Sequence, residues 1–223
     1  MTAAANLESS APANPEAHKV AAYPYFDWLR FLLASIVVLD HSGFRLLPFL
    51  NGGLAVDVFF ALSGWLIGGI LLKTSLTELP RFFFNRSTRI WIPYAVAIIL
   101  LYLVAALKEG VNAFWFKYLF LDITFTHQLY TFFPVALFEL PLDGSGNQFW
   151  SIAVEEQFYL IAPLVMLLLP WGKSIRAWGP IALMTILMGW NAAPVSLGVC
   201  AAILQRDFDI ARSGSIRIFA LLA

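Results

Sequence analysis

From Leu54 to Leu72 the chain runs through an apolar block whose one formal charge is Asp57. A block of that length is enough for a helix to cross the roughly 30 Å hydrocarbon core of a bilayer. Comparable blocks occupy Phe26 to Leu47, Ile90 to Leu107 and Trp150 to Leu169, and a last one, Trp178 to Leu204, is interrupted by Asn191 and Pro194. Lipid offers the backbone no hydrogen bonds, so blocks of this kind are expected to be helical. Charged residues make up 13% of the chain and hydrophobic ones 60%, about half the charge fraction usual for a soluble domain. The expected fold class is therefore all-α: a polytopic transmembrane helix bundle of about five to six spans. A re-entrant or interfacial aromatic hairpin is expected over residues 114–140, where Lys117, Asp122, His127, Gln128 and Pro134 break up the aromatics.

Residues 1–22 are Ala, Pro, Asn and Ser with few large apolar groups, and read as a disordered cytoplasmic tail ahead of a membrane domain covering 23–223. The tail lacks the basic start, apolar stretch and small-residue cleavage site of a signal peptide. Lys73, Arg81, Arg86 and Arg89 form the most basic stretch, which by the positive-inside rule places it and the N-terminus in the cytoplasm. The turn from Arg45 to Gly53 and the loop Pro141 to Gln148 then lie outside, with Lys173 and Arg176 inside. A full crossing at 114–140 would put those last two outside, which favours the hairpin. Fourteen basic and fourteen acidic residues cancel, which speaks against a nucleic-acid partner. The one cysteine, Cys200, reads as a buried thiol, and His18, His41 and His127 lack metal-ligand spacing, so no metal is expected.

Four constellations carry chemistry. Arg30 and His41 are eleven residues apart, within roughly 20° of three full helical turns, so both leave one face of the first helix about 16 Å apart. Ionisable groups at membrane depth usually line a bundle interior or an aqueous path. Asp27 can pair with Arg30 one turn away. In the second span Asp57, Phe60 and Ser63/Gly64 share a face, and the small residues allow close helix approach. His41 and Asp57 both lie near the outer ends of antiparallel neighbours, where a carboxylate could orient the imidazole as a general base. The alternative is that Asp57 caps a helix start.

The third constellation is Arg86 and Arg89, three residues apart on one helical face, whose guanidinium forks suit phosphate but equally suit lipid headgroups. The fourth is the adjacent pair Glu155 and Glu156 at the mouth of an apolar span. Glu155 shares a face with Tyr159 and Ala162, Glu156 points about 100° away, and one of the two need face the interior.

Taken in order, these segments resemble the acyltransferase-3 family of integral membrane acyltransferases. The resemblance covers about residues 23 to 170 and rests on Arg30 and His41 after an Asp-x-x-Arg opening, then Val56-Asp57-x-Phe59-Phe60-x-Leu62-Ser63-Gly64-Trp65-Leu66-Ile67. Arg86-x-x-Arg89-Ile90-x-x-Pro93-Tyr94 and Trp150-Ser151-x-x-Val154-Glu155-Glu156-Gln157-Phe158-Tyr159-Leu160 complete it. The resemblance implies an enzyme of the bacterial cytoplasmic (inner) membrane that modifies cell-envelope carbohydrates such as polysaccharides, O-antigens or peptidoglycan. It moves an acyl group, commonly acetyl, from cytoplasmic acyl-CoA to an acceptor hydroxyl. It further implies that His41 is the key catalytic residue with Arg30 as a partner, that Arg86 and Arg89 recognise the CoA phosphates, and that Glu155 is the functional member of its pair. Together with Asp57, read from its place near His41, the candidate catalytic residues are His41, Asp57 and Glu155 and the donor-binding ones Arg30, Arg86 and Arg89. The expected partners are acyl-CoA, a carbohydrate or lipid-linked carbohydrate acceptor, and membrane lipids.

The C-terminal part departs from that pattern. The family's later spans, including a Tyr-Leu-x-His-like helix, have no counterpart before Ala223, and Gln205, Arg206, Asp207, Asp209, Arg212 and Arg217 interrupt what should be apolar. The membrane domain is therefore expected to be incomplete at its C-terminus. Two other readings stay open on the residues alone: a transporter or channel-like protein, and an inactive truncated remnant of an acyltransferase.

Overall fold

The computed structural model describes residues 24–44, 51–132 and 136–208. The 1–22 tail, Arg45, Pro134, Asp209, Arg212 and Arg217 lie outside the described residues, as does the side chain of Asp27 and with it the pairing to Arg30. The helices are α1 (Pro24–His41), α2 (Gly52–Lys73), α3 (Leu79–Glu109), α4 (Ala113–Ile123), the single turns α5 (Ala136–Glu139) and α6 (Pro141–Gly144), α7 (Phe149–Leu168), α8 (Ile175–Leu187) and α9 (Ala193–Phe208). Short 3-10 turns at Leu76–Glu78 and His127–Phe132 complete a structure that is all-helical over the described residues.

Among the described residues, three helices are long and apolar enough to cross a membrane: α2, α3 with its leading 3-10 turn, and α7. Helices of this kind thus do not by themselves establish the expected five to six spans. Arg30 and Asp40 within its 18 residues, together with Asp27, keep α1 from being a continuous apolar span. The last apolar block divides around Asn191 into α8 and α9, which at about 1.5 Å per residue are both shorter than the hydrocarbon core. Residues 113–144 likewise hold one 11-residue helix and several single turns, none able to cross.

Local chemistry sets the ends of α2. Its first turn leaves N–H groups without helical partners. The Asn51 side-chain oxygen accepts from Leu54 N at 2.8 Å, and the Asp40 carboxylate at the end of α1 accepts from Gly52 N at 3.0 Å. At the other end Lys173 Nζ donates to the carbonyls of Leu72 (3.2 Å) and Thr74 (2.7 Å), placing a cation where the helix dipole favours one. Arg206 of α9 in turn donates to Lys173 O at 2.9 Å.

Helix α3 begins eleven residues before the expected Ile90. Pro80 is tolerated in its first turn and nothing breaks the helix before Gly110. Its 31 residues extend about 46 Å, so the basic stretch is a helical extension of the apolar segment instead of a loop.

Side-chain pairs fix the directions of the helices. Phe26 meets Trp65, Arg30 meets Phe59 and Asp40 meets Gly52, so α1 and α2 are antiparallel. Trp150 packs on Phe60 and Glu155 reaches Ser63, which makes α7 parallel to α2. Phe149 packs on Tyr94, Glu156 meets Trp91 and Tyr159 meets Arg86, so α7 is antiparallel to α3. His41, the start of α2, the start of α7 and the end of α3 therefore share one end of the bundle.

The main core lies between α2, α7, α8 and α9 and is filled by Phe60, Ile67, Leu71, Phe158, Met166, Trp178, Val195, Val199 and Ile203. Helices α2 and α9 cross at backbone contact. A Cβ on Gly64 would sit 2.0 Å from Val195 O, and one on Gly198 would sit 2.1 Å from Ala61 O. Close approach through small residues is how helices gain packing in lipid, where no hydrophobic force drives them together.

A second core lies between α3 and the α4 region around Tyr94, Tyr102, Tyr118 and Phe149. At its centre Asp122 is buried; it accepts from Tyr102 Oη at 2.6 Å and is joined to Nδ1 of His127, which is fully buried. Tyr94 Oη donates to the Asp122 carbonyl at 3.0 Å. A buried carboxylate persists only with such partners, and this one fastens the short helices to α3.

Two outcomes follow. Gly198→Ala should destabilise the protein by about 1–3 kcal/mol, the usual cost of overpacking. Gly69→Ala, with nothing within 4 Å of the added carbon, should leave the melting temperature in detergent unchanged or slightly raised. The second concerns Lys117, whose Nζ donates to Glu139 at 2.6 Å. That bond holds the Glu139 carboxyl below its ordinary range and raises the Lys117 amine above its own. A lowered carboxyl contributes stability above its unfolded value of about 4.3 and loses it as pH falls through the folded value. A raised amine contributes below its unfolded value of about 10.4 and loses it as pH climbs through the folded value. Amide protection factors of residues 136–144, taken against the intrinsic exchange rate at each pH, should thus stay high between these limits and fall outside them. Lys117→Met should lower them at neutral pH.

Candidate functional site in the α2–α3–α7 interior

Helix α7 presents its tandem carboxylates to two different neighbours. Glu155, half-buried, accepts from Ser63 Oγ of α2 at 2.6 Å. Glu156, only 3% exposed, accepts from Trp91 Nε1 of α3 at 2.8 Å. Adjacent helix positions diverge by about 100°, so facing both neighbours requires α7 to sit between them. The expectation that one of the pair need face inward is corrected: both do, and Glu156 is the more deeply buried.

One turn along, the Arg86 guanidinium carbon stands 3.9 Å from the centre of the Tyr159 ring. That is a close cation–π contact in a poorly hydrated setting, where such contacts are strongest. Three polar atoms here are buried without a hydrogen bond: Arg86 Nε, Glu156 Oε1 and Tyr159 Oη. The Tyr159 hydroxyl lies beside Ser63 and Arg86 without completing a hydrogen bond to either. Buried polar atoms are nearly always paired, so an N–H donor, a carboxylate oxygen and a hydroxyl without partners mark a polar spot inside the bundle that water or a ligand would satisfy.

Arg30 approaches from α1. Its guanidinium is 5.8 Å from the Phe59 ring centre and its Nε is buried without a partner. Phe59 and Ser63 are one helical turn apart, so Arg30 comes to the same side of α2 as the Ser63–Glu155 pair. The structure thus brings Arg86, Glu155 and Glu156 together around α7, with Arg30 at a similar level on the α1–α2 face.

It does not gather the other expected residues there. Arg89 is exposed, because a three-residue step leaves it about 60° from Arg86, enough to turn it out of the bundle. His41 and Asp57 are both exposed, and no hydrogen bond or ion pair joins them. With Asp40 opposite Gly52, His41 stands level with the start of α2, while Asp57 sits five residues, about 7 Å, deeper.

The His41 ring instead bonds its own helix: Nδ1 lies 2.8 Å from Val37 O. A carbonyl only accepts, so Nδ1 carries the hydrogen and Nε2 of the neutral ring is the basic nitrogen. The tautomer-fixing role expected of Asp57 is performed here by the Val37 carbonyl. His41 is some 16 Å along the bundle axis from the level of Ser63.

Sequence reasoning passed over several participants. Ser63 was legible only as a small residue, Tyr159 only as a companion of Glu155, and Trp91 carried no signal until α3 was known to lie against α7. Asp40 drew no notice beside His41, although it joins α1 to the start of α2.

The family's acyltransferase domain matches residues 23–206 of this chain. The chain is 31% identical over 183 residues to the peptidoglycan O-acetyltransferase OatA of Listeria monocytogenes, covering 74% of this chain and 27% of the relative. It is 28% identical over 206 residues to a putative O-acetyltransferase of Staphylococcus aureus (strain COL), covering 87% of this chain and 32% of the relative. The chain thus spans about a third or less of the length of these curated relatives. No solved structure matches. With its apolar helices and a family match over most of its length, the chain belongs to the acyltransferase-3 family of membrane acyltransferases.

Proposed function

We propose that the protein moves an acetyl group from cytoplasmic acyl-CoA to a hydroxyl of a cell-envelope carbohydrate, working in the bacterial inner membrane with its N-terminus inside. The observation that carries this reading is the interior cluster where Arg86 Nε, Glu156 Oε1 and Tyr159 Oη are buried and unpaired, with Arg30 Nε likewise unpaired on the α1 face of α2. In the proposed orientation the basic start of α3, with Arg81, Arg86 and Arg89, faces the cytoplasm and receives the anionic donor. Arg86 binds the polar part of CoA, and exposed Arg89 contacts its phosphates nearer the entrance. The acyl-bearing arm then runs along the α1–α2 face past Arg30 toward His41.

At that end Nε2 of His41 takes the proton of the acceptor hydroxyl as its oxygen attacks the thioester carbonyl. The carbon–sulfur bond breaks, CoA leaves as the thiolate, and the ester remains on the sugar. The imidazolium proton returns to the thiolate or to water. Glu155, held by Ser63, and Glu156, held by Trp91, fix α7 against the donor site. The relatives' names, one a peptidoglycan O-acetyltransferase, support the acetyl donor and the carbohydrate acceptor.

The test uses the purified chain in nanodiscs with labelled acetyl-CoA and a peptidoglycan fragment. His41→Ala should retain donor binding and lose at least roughly a hundredfold in turnover, the usual share of a general base. Arg86→Ala should raise the donor Kd roughly ten- to a hundredfold, the loss expected for hydrogen bonds to a charged group. Turnover unchanged by His41→Ala would end the catalytic proposal. Donor affinity unchanged by Arg86→Ala would end the assignment of the donor site.

A further inference from the structure

A cleft of about 260 Å³ opens at the far end of α3 from Arg86, between α3, α4 and the turns α5 and α6. Its wall carries the aromatics Phe114, Trp115 and Phe138 and the polar groups of Glu109, Asn112 and Asp143. Two of these are fixed in place. Trp115 Nε1 donates to Tyr102 O at 3.0 Å, and Glu109 Oε1 accepts from Leu142 N at 2.9 Å, tying the end of α3 to α6. Phe138 is 91% exposed, an aromatic face left in solvent at the rim.

We propose that this cleft is a subsite for a neutral or amino sugar of the acceptor, one or more rings away from the reacting hydroxyl. The proposal rests on the acyltransferase reading above. A pyranose has an apolar C–H face and an edge of hydroxyls. Flat aromatic rings suit the first, while the Glu109 carboxylate and the Asn112 amide, whose oxygen accepts from Trp115 N at 2.9 Å, are held at fixed positions that suit the second. The cleft lies just under the size range of about 300–1,000 Å³ that holds drug-sized ligands, which fits a sugar ring and not CoA.

Charge sharpens the choice. Glu109 and Asp143 make the cleft acidic, Glu139 on the same wall being neutralised by Lys117, so it disfavours phosphate and uronate and favours an uncharged or cationic sugar. The anionic donor is thereby directed to the opposite, basic end. Position agrees as well. Taking Trp150 as level with Phe60, and Phe149 with Tyr94, Glu109 lies about 10 Å beyond the start of α2 along the axis. His41 is level with that start, so the cleft and His41 lie toward the same end of the bundle.

The experiment measures saccharide binding to the purified chain in nanodiscs by saturation-transfer NMR and calorimetry, without donor. The probes are chitotetraose (neutral), the glucosamine tetramer (cationic) and tetragalacturonate (anionic). Chitotetraose should bind, and Phe138→Ala, at an exposed site that does not support the fold, should weaken it at least tenfold. Asp143→Asn keeps a residue type that accepts the left-handed backbone there (φ 53°) and should abolish any preference for the cationic tetramer over the neutral one. Absence of saccharide binding, equal affinity in Phe138→Ala, or tetragalacturonate binding as tightly as chitotetraose would overturn the proposal. Acetyl-CoA binding by the same unmodified sample reads the donor reading separately, so either can fail alone.

Discussion

The bundle depends on how helix α7 satisfies two neighbouring carboxylates inside an apolar interior. A buried carboxylate without partners is costly, and consecutive residues on a helix cannot face the same neighbour. Glu155 takes its hydrogen bond from α2 through Ser63, and Glu156 takes its own from α3 through Trp91. Helix α7 is thereby held between two helices that otherwise make few mutual contacts. Arg86 settles over Tyr159 one turn away, so the groups that hold the bundle together also form its interior polar site.

The rest of the structure divides around that junction. On one side, glycines at 64 and 198 bring α2 and α9 to backbone contact and build the main core. On the other, Asp122 with Tyr102 and His127 fastens the short helices to α3. The glycine crossing gains dispersion through shape, whereas the Asp122 cluster gains order through hydrogen bonds. Each works where the other could not: a polar network at the α2–α9 crossing would hold the backbones apart, and bare apolar packing would not orient a chain of single turns.

Much of the fold was legible because it rests on one-dimensional patterns. The limits of α2 and α7 matched their apolar blocks to within two residues, and the reading of 114–140 as something other than a crossing agrees with the short helices found there. The span count was less legible. The interruption at Asn191 and Pro194 was visible in the sequence, and the last block does divide there into two short helices, α8 and α9, whereas a hydropathy run did not give the number of long apolar helices among the described residues. The start of α3 was missed for a related reason: basic residues were read as a loop, although arginine is a good helix former and continues the helix freely.

Within the candidate site, sequence named Arg30, Arg86, Glu155 and Glu156, because ionisable residues in apolar surroundings stand out on their own. It could not name their partners. Ser63, Trp91 and Tyr159 are ordinary residues until another helix places a charge against them, and Asp57 looked suited to His41 until the α1–α2 register set it deeper. Residue chemistry and periodicity belong to the chain alone, so an all-helical membrane protein with charges turned inward was determined by the sequence. Which charge meets which donor depends on the crossing and register of helices far apart in the chain. Those follow from small differences in packing volume that only the folded tertiary structure decides.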